Sequence, residues 1–281
     1  VLPKPMREPV SLGYLLARAS DTLADTESLP AELRLELLDG MAEVMRGGDR
    51  SVWIGQLKGE VIPRQSHLGE RVLMAEIEGV LDWLNALRSD EQRQSIFTVM
   101  AHIIRGQRLD IERFELRDDF CFSQDAELDE YCYLVAGCVG EFWTEIGAMT
   151  LKNFSTTDHA QLMSWGADYG KGLQLINILR DLPNDLKAGR CYLPGVDPSD
   201  RAALMVESER WRKQARAYLC DGASYARSLS RRRARMATAL PGLIGGLTLD
   251  LMDEADWDTL SGGVKIKRSD VYRCAWDALI G

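Results

Sequence analysis

Apolar residues recur at helical spacing along nearly the whole chain, and that rhythm leaves little choice of fold class. Leu12, Leu15, Leu16, Ala19 and Leu23 follow the i, i+3, i+4, i+7 pattern of a buried helical stripe. A second helix is expected over 29–46, ended by Gly47-Gly48, with two more over 66–88 and 90–105, separated near Ser89-Asp90. The stretch 127–150 is long and rich in small residues, and 157–182 forms another helix. Helices near 200–230, 236–255 and 265–280 complete the chain. Alternating β-branched runs with hairpin turns are missing, as are internal repeats and low-complexity linkers. The expectation is a single all-α domain over 1–281, a bundle of packed helices.

The apolar fraction of 46% supplies a substantial core, and the formal charge of −9 disfavours nucleic acid as a partner. One local exception is the run Arg231-Arg232-Arg233-Ala234-Arg235, preceded by Arg227. It reads first as a solvated helix end and second as a contact for anionic lipid or diphosphate. Cys121, Cys132, Cys138, Cys191, Cys220 and Cys274 show no C-x-x-C pairing or metal-ligand spacing, so they read as free thiols in a reducing, cytoplasmic setting. No apolar run approaches the roughly 20 residues of a membrane span, and no signal peptide opens the sequence. The start Val1-Leu2-Pro3-Lys4-Pro5 reads as the continuation of an upstream segment.

Against this helical background stand two acidic sequences of identical spacing, Asp21-Thr22-Leu23-Ala24-Asp25 and Asp181-Leu182-Pro183-Asn184-Asp185. On a helix, residues i and i+4 share one face, so each presents two carboxylates side by side. A lone D-x-x-x-D is ordinarily a solvated helix face. Two of them embedded in apolar pattern suggest facing walls of one cation-filled cavity, because paired like charges gain from burial only when a cation neutralises them. The expected ion is Mg2+, with Mn2+ as a substitute, a hard cation that leaves part of its shell to water and substrate phosphates. Pro183 removes a backbone donor, so the helix is expected to kink or end inside the second motif. Lys187 and Arg190 follow closely, placed either to share phosphate charge or merely to solvate a loop.

Longer strings make the reading specific. Tyr14 to Asp25, with Arg18 before the acid pair, resembles the first aspartate motif of the head-to-head prenyl synthases, the family that includes squalene and phytoene synthases. Arg105-Gly106-Gln107-Arg108-Leu109-Asp110 resembles the family's G-x-x-x-D segment. Tyr131-Cys132-Tyr133-Leu134-Val135-Ala136-Gly137-Cys138-Val139-Gly140 is similar to its Y-C-x-x-V-A-G-x-V-G signature. Gln174 to Asp185, followed by Gly189-Arg190-Cys191-Tyr192-Leu193-Pro194, resembles the second signature and its G-R-x-Y-L-P tail. The resemblance covers nearly the whole chain.

It implies a class I isoprenoid-synthase bundle around a central apolar cavity, in which two farnesyl diphosphates lose diphosphate to Mg2+ held by Asp21, Asp25, Asp181 and Asp185. Arg18, Lys187 and Arg190 would hold diphosphate oxygens. An allylic cation needs a dry chamber, and Val135, Ala136, Gly137, Val139 and Gly140 could leave room for a prenyl chain; without the resemblance, close helix packing explains these small residues better. Tyr131 is implied as the group that takes or relays a proton when the cyclopropane closes. Tyr14 and Tyr133 are its neighbours or else buried core residues, Gln174 belongs to the substrate signature, and Asn177 could orient metal-bound water or phosphate.

The product depends on a different segment. Gly263-Val264-Lys265-Ile266-Lys267-Arg268 resembles the V-K-I-R-K stretch of squalene synthases, which implies that Lys265, Lys267 and Arg268 meet the phosphates of NADPH; otherwise they are solvated charges at a helix start. Without the reduction, the product would be dehydrosqualene or phytoene. Ala24 stands where many squalene synthases carry a further acid, the family's N-terminal S-R-S-F segment is absent from this sequence, and Ala237-Thr238 replaces bulkier residues. A non-catalytic helical scaffold is the rival, although it would have no need of inward carboxylates. So apolar a product implies release through peripheral contact with the inner face of a membrane.

Overall fold

The computed structural model describes residues 2–117 and 120–280. Among them helices account for all regular structure, apart from two isolated bridges pairing Cys121 with Cys191 and Ser155 with Leu229. The all-α expectation holds. Chain contacts sort the helices into two compact units, Pro5–Asp118 and the combination of Val1–Lys4 with Asp119–Gly281.

The N-terminal unit is built on α1 (Lys4–Ala24), α2 (Ala31–Met45), α3 (Ser51–Gln56), α4 (Leu68–Ala75), α5 (Ile77–Ala86) and α6 (Asp90–Ile111). The predicted stripe of α1 is buried at Leu12, Leu16, Ala19 and Leu23. Ser89 ends the preceding segment and caps α6, its Oγ accepting from the Gln92 N–H at 3.2 Å. Helix α3 has no counterpart in the sequence reading. It continues through a π-helical turn (Leu57–Val61) and a 3-10 turn to Arg64, anchored by buried Trp53, whose indole N–H donates to the Leu37 carbonyl at 2.8 Å.

The C-terminal unit contains α7 (Asp125–Cys132), α8 (Cys138–Thr150), α9 (His159–Lys187), α10 (Arg201–Ser228), α11 (Arg232–Asp253), α12 (Trp257–Ser261) and α13 (Arg268–Ile280). The expected helix over 127–150 is three pieces, since a π-helical turn (Tyr133–Gly137) joins α7 to α8. Asp158 and Asp200 cap α9 and α10, each accepting two backbone N–H groups. Central α9 packs against α10, α8 and α11.

Lys171 ties three of these helices together. Its side chain is 13% exposed, and Nζ lies 3.0 Å from Asp168 on its own helix and 3.1 Å from Asp129 on α7. It also sits 4.6 Å above the Tyr218 ring of α10, whose hydroxyl donates to Asp129 at 2.8 Å. Replacing Lys171 by Met keeps the stem but strands two carboxylates, one of them half-buried. A loss of about 1–3 kcal/mol is expected, below the cost of breaking a fully buried pair because water still reaches Asp129. Urea unfolding measures it, and an unchanged midpoint would deny the clamp a role in stability.

Candidate active site

In the N-terminal unit the acidic pair ends a helix. Tyr14, Arg18, Asp21 and Asp25 lie on one face of α1, opposite the buried leucines. Asp25 stands one residue beyond α1, but its N–H still bonds the Asp21 carbonyl at 2.8 Å, so the one-turn spacing survives. Two carboxylates there meet the negative end of the helix dipole as well as each other. Asp21 is half-buried; burial first, then the Asp25 charge, pushes its carboxyl above the ordinary aspartate value, against the Gln107 hydrogen bond and Arg18. A cation placed here would relieve the like-charge repulsion between Asp21 and Asp25.

Gln107 of α6 supports this pair. Its side-chain N–H2 donates to Asp21 Oδ1 at 2.6 Å and to Ser20 Oγ at 3.1 Å. Sequence inspection quoted Gln107 inside a signature without giving it a task. Arg18, expected on diphosphate, forms an ion pair with Glu70, and Tyr14 is 67% exposed.

In the C-terminal unit, Gln174, Asn177, Asp181 and Asp185 recur along the less buried side of α9. Of the two outcomes expected at Pro183, a kink or an end, the end does not occur: α9 runs through Pro183 to Lys187. Leu179, Leu182 and Pro183 are buried there, and the last turn keeps its bonds beyond the proline, with Ala188 N–H on the Asn184 carbonyl at 3.1 Å. The cation on Asp181 is Arg180, which grips both carboxylate oxygens at 2.9 and 2.6 Å. Adjacent helical residues do not face each other, so spacing rules gave no hint of it; the long guanidinium arm reaches round. Exposed Lys187 reaches the Asn184 side chain at 3.4 Å. The Arg190 backbone N–H donates to the Asp185 carbonyl at 2.8 Å.

Tyr131 is 8% exposed and lies against two rings, stacked on Tyr192 with centroids 5.1 Å apart and tilted toward Phe122 at 5.9 Å. Two irregular segments bring those rings in. Cys191 N–H donates to the Phe120 carbonyl at 3.0 Å, and Gly195 N–H to that of Phe122 at 3.0 Å. Phe122 carries no motif, and only the fold reveals it. Tyr133 donates to Glu141 at 2.8 Å, its phenol pushed up to about 12 by burial and that carboxylate. Val135 is half-buried and Val139 exposed. Gly137 and Gly140 serve close helix approach: a Cβ on Gly137 would come within 3.2 Å of the Ala167 carbonyl, and one on Gly140 would run into Gly166.

Between α12 and α13, Gly263 turns the chain at φ +89°, buried Val264 anchors it, and Lys265, Lys267 and Arg268 are exposed. Among the described residues, no three or more His, Cys, Asp or Glu side chains gather as a metal centre. Each acidic pair is thus a partial set of hard oxygen donors, a set that suits Mg2+ bound together with phosphate oxygens rather than a fully protein-caged ion.

Comparison with known proteins gives the lineage of this helical fold and its paired carboxylates. Residues 1–270 match the squalene/phytoene synthase family model, and the chain belongs to that family of head-to-head prenyl transferases. It is 27% identical to the squalene synthase of Schizosaccharomyces pombe, over 69% of this chain and 39% of that protein. It is 28% identical to the presqualene diphosphate synthase of Zymomonas mobilis, over 75% of this chain and 58% of that protein. The chain thus spans less than two thirds of the length of these curated relatives. The TcSQS structure with the ligand E5700 superposes with a TM-score of 0.81 at 22% identity, covering 99% of this chain and 80% of that one. That last likeness concerns the fold. No described helix is long and apolar enough to cross a membrane.

Proposed function

We propose that the protein is a squalene synthase: it condenses two farnesyl diphosphates head to head into presqualene diphosphate and reduces that intermediate to squalene with NADPH. The observation that carries the reading is Asp21, half-buried in the last turn of α1, one turn from the Asp25 carboxylate and hydrogen-bonded by the Gln107 amide. Such an arrangement is costly unless a divalent ion completes it. Asp21 and Asp25, with Asp181 and Asp185, hold Mg2+. The bound ion supplies Lewis-acid stabilisation to the departing diphosphate.

The remaining steps belong to the chain's own groups. Arg18, Lys187 and Arg190 share diphosphate charge, Arg18 on release from Glu70. Gln174 and Asn177 meet substrate along the same side of α9, and Val135 and Val139 touch the prenyl chain. Tyr131, oriented by Tyr192 and Phe122, relays the proton lost on cyclopropane closure, with diphosphate as the final acceptor because a neutral phenol is a weak base. Tyr14 and Tyr133 flank substrate. Lys265, Lys267 and Arg268 meet the phosphates of NADPH, the assignment that separates squalene from its dehydro relatives. Release of so apolar a product takes place by peripheral contact with a membrane.

Incubation with farnesyl diphosphate and Mg2+, with and without NADPH, tests the reading through the hydrocarbon formed. Squalene should appear only with NADPH. Absence of diphosphate release would sink the enzyme assignment. Dehydrosqualene in both samples, or arrest at presqualene diphosphate in both, would sink the squalene assignment alone.

A further inference from the structure

Gln107 combines two features that seldom occur together in a side chain with no task. It is 8% exposed, and its amide nitrogen donates to both Asp21 Oδ1 and Ser20 Oγ, at 2.6 and 3.1 Å. Its amide oxygen is buried and meets no hydrogen-bond partner among the described residues. Turning the amide over would not repair this, because it would set an oxygen against the Asp21 carboxylate and lose the donor. A buried carbonyl left unpaired is destabilising, so its retention calls for a reason.

The surroundings supply one. Gln107 binds one oxygen of Asp21 and thereby fixes which way the carboxylate presents the other. Ser20 cannot substitute for it, since its hydroxyl already donates to the Ala17 carbonyl at 2.8 Å. Ligating side chains are commonly oriented by a hydrogen-bonding partner behind them, and removing such a partner typically costs 10–100-fold in metal affinity. The water shell that Mg2+ retains carries donors of the kind the Gln107 oxygen lacks.

We propose that Gln107 is a positioning residue for cation binding, orienting Asp21 through its N–H2 group and accepting from a water of the cation's shell through its unpaired oxygen. The inference rests on the proposed metal role of Asp21. It assigns Gln107 no contact with the reacting atoms.

The test measures Mn2+ binding in the presence of inorganic pyrophosphate, from the loss of the free-ion paramagnetic signal. Wild type is compared with Gln107→Met, which keeps length and volume, Gln107→Asn, one methylene short, Ser20→Ala and Asp21→Asn. Gln107→Met should weaken Mn2+ binding by about 10-fold or more and Gln107→Asn by less, with helical circular dichroism unchanged. Ser20→Ala should stay within about twofold, because the bond to Asp21 is the one that matters. Binding that is intact in wild type, lost in Asp21→Asn and unchanged in both folded Gln107 variants overturns the role of Gln107 alone. Equal loss in Ser20→Ala and Gln107→Met would also overturn it, as packing of α1 on α6 would then be responsible. Wild type that binds no Mn2+, or Asp21→Asn that binds normally, overturns the underlying metal reading and this inference with it. Should Gln107→Met not fold, Gln107→Asn against Ser20→Ala decides by the same comparison.

Discussion

Asp181→Asn is expected to reduce diphosphate release from farnesyl diphosphate by about a thousand-fold or more, with Asp21→Asn comparable. Loss of a group that stabilises leaving-group charge costs two to three orders of magnitude in related chemistry, and here the substitution also weakens the ion's hold. The two variants should fail differently. Asn at 181 leaves Arg180 without the carboxylate it grips at both oxygens, so a free guanidinium remains to attract pyrophosphate. Pyrophosphate should therefore still bind Asp181→Asn without Mg2+, whereas Asp21→Asn frees no guanidinium, since Arg18 beside it is paired with Glu70, and gains nothing. Neither change should disturb folding, because both carboxylates are only partly buried. Asp250→Asn serves as the control: that aspartate pairs with Arg216 at 2.9 Å on an exposed face and should keep full activity. Diphosphate release within tenfold of wild type in either acidic-pair variant would remove that residue from the ionisation step.

The difference between the two pairs marks how far the sequence could be read. Helical periodicity located α1, α9 and α10 because their buried stripes repeat without interruption. It missed α3, whose stretch contains Gly55, Gly59 and Pro63, residues that mask the period; buried Trp53 holds the segment instead. It stopped α9 short of Lys187 because a proline interrupts local bonding, while burial of Leu182 and Pro183 favours continuing. The acidic pairs and Tyr131 were legible because their spacing and strings are local. Gln107 on Asp21 and Phe122 beside Tyr131 were not, since each contact joins segments whose proximity only folding creates. Arg180 was hidden for the opposite reason, being so near Asp181 that helical geometry appeared to forbid the pair.

Gly140→Ala is expected to cost roughly 3 kcal/mol or more and to leave little folded protein at physiological temperature. The added carbon would overlap the Gly166 carbonyl, and both the obstructing carbon and oxygen are backbone atoms that no rotamer change can move. The approach is reciprocal: a Cβ on Gly166 would stand 2.7 Å from the Gly140 oxygen and 2.9 Å from the Thr144 hydroxyl. That hydroxyl hydrogen-bonds the Gly140 carbonyl at 2.9 Å and buried Tyr225 of α10 at 2.7 Å, so separating α8 from α9 also opens a polar link to a third helix. Relief would require moving a whole helix, and α9 carries Asp181 and Asp185. Any folded fraction should therefore lose Mn2+ and pyrophosphate binding together with stability. Gly79→Ala gives the contrast, because nothing lies within 4 Å of its Cβ position in α5. There the methyl should be neutral or stabilise by up to about 1 kcal/mol through helix propensity and reduced unfolded-state freedom. Equal unfolding midpoints for Gly140→Ala and Gly79→Ala would mean that the α8–α9 contact is not as close as described, and Gly140 would then be free to serve as space for a prenyl chain.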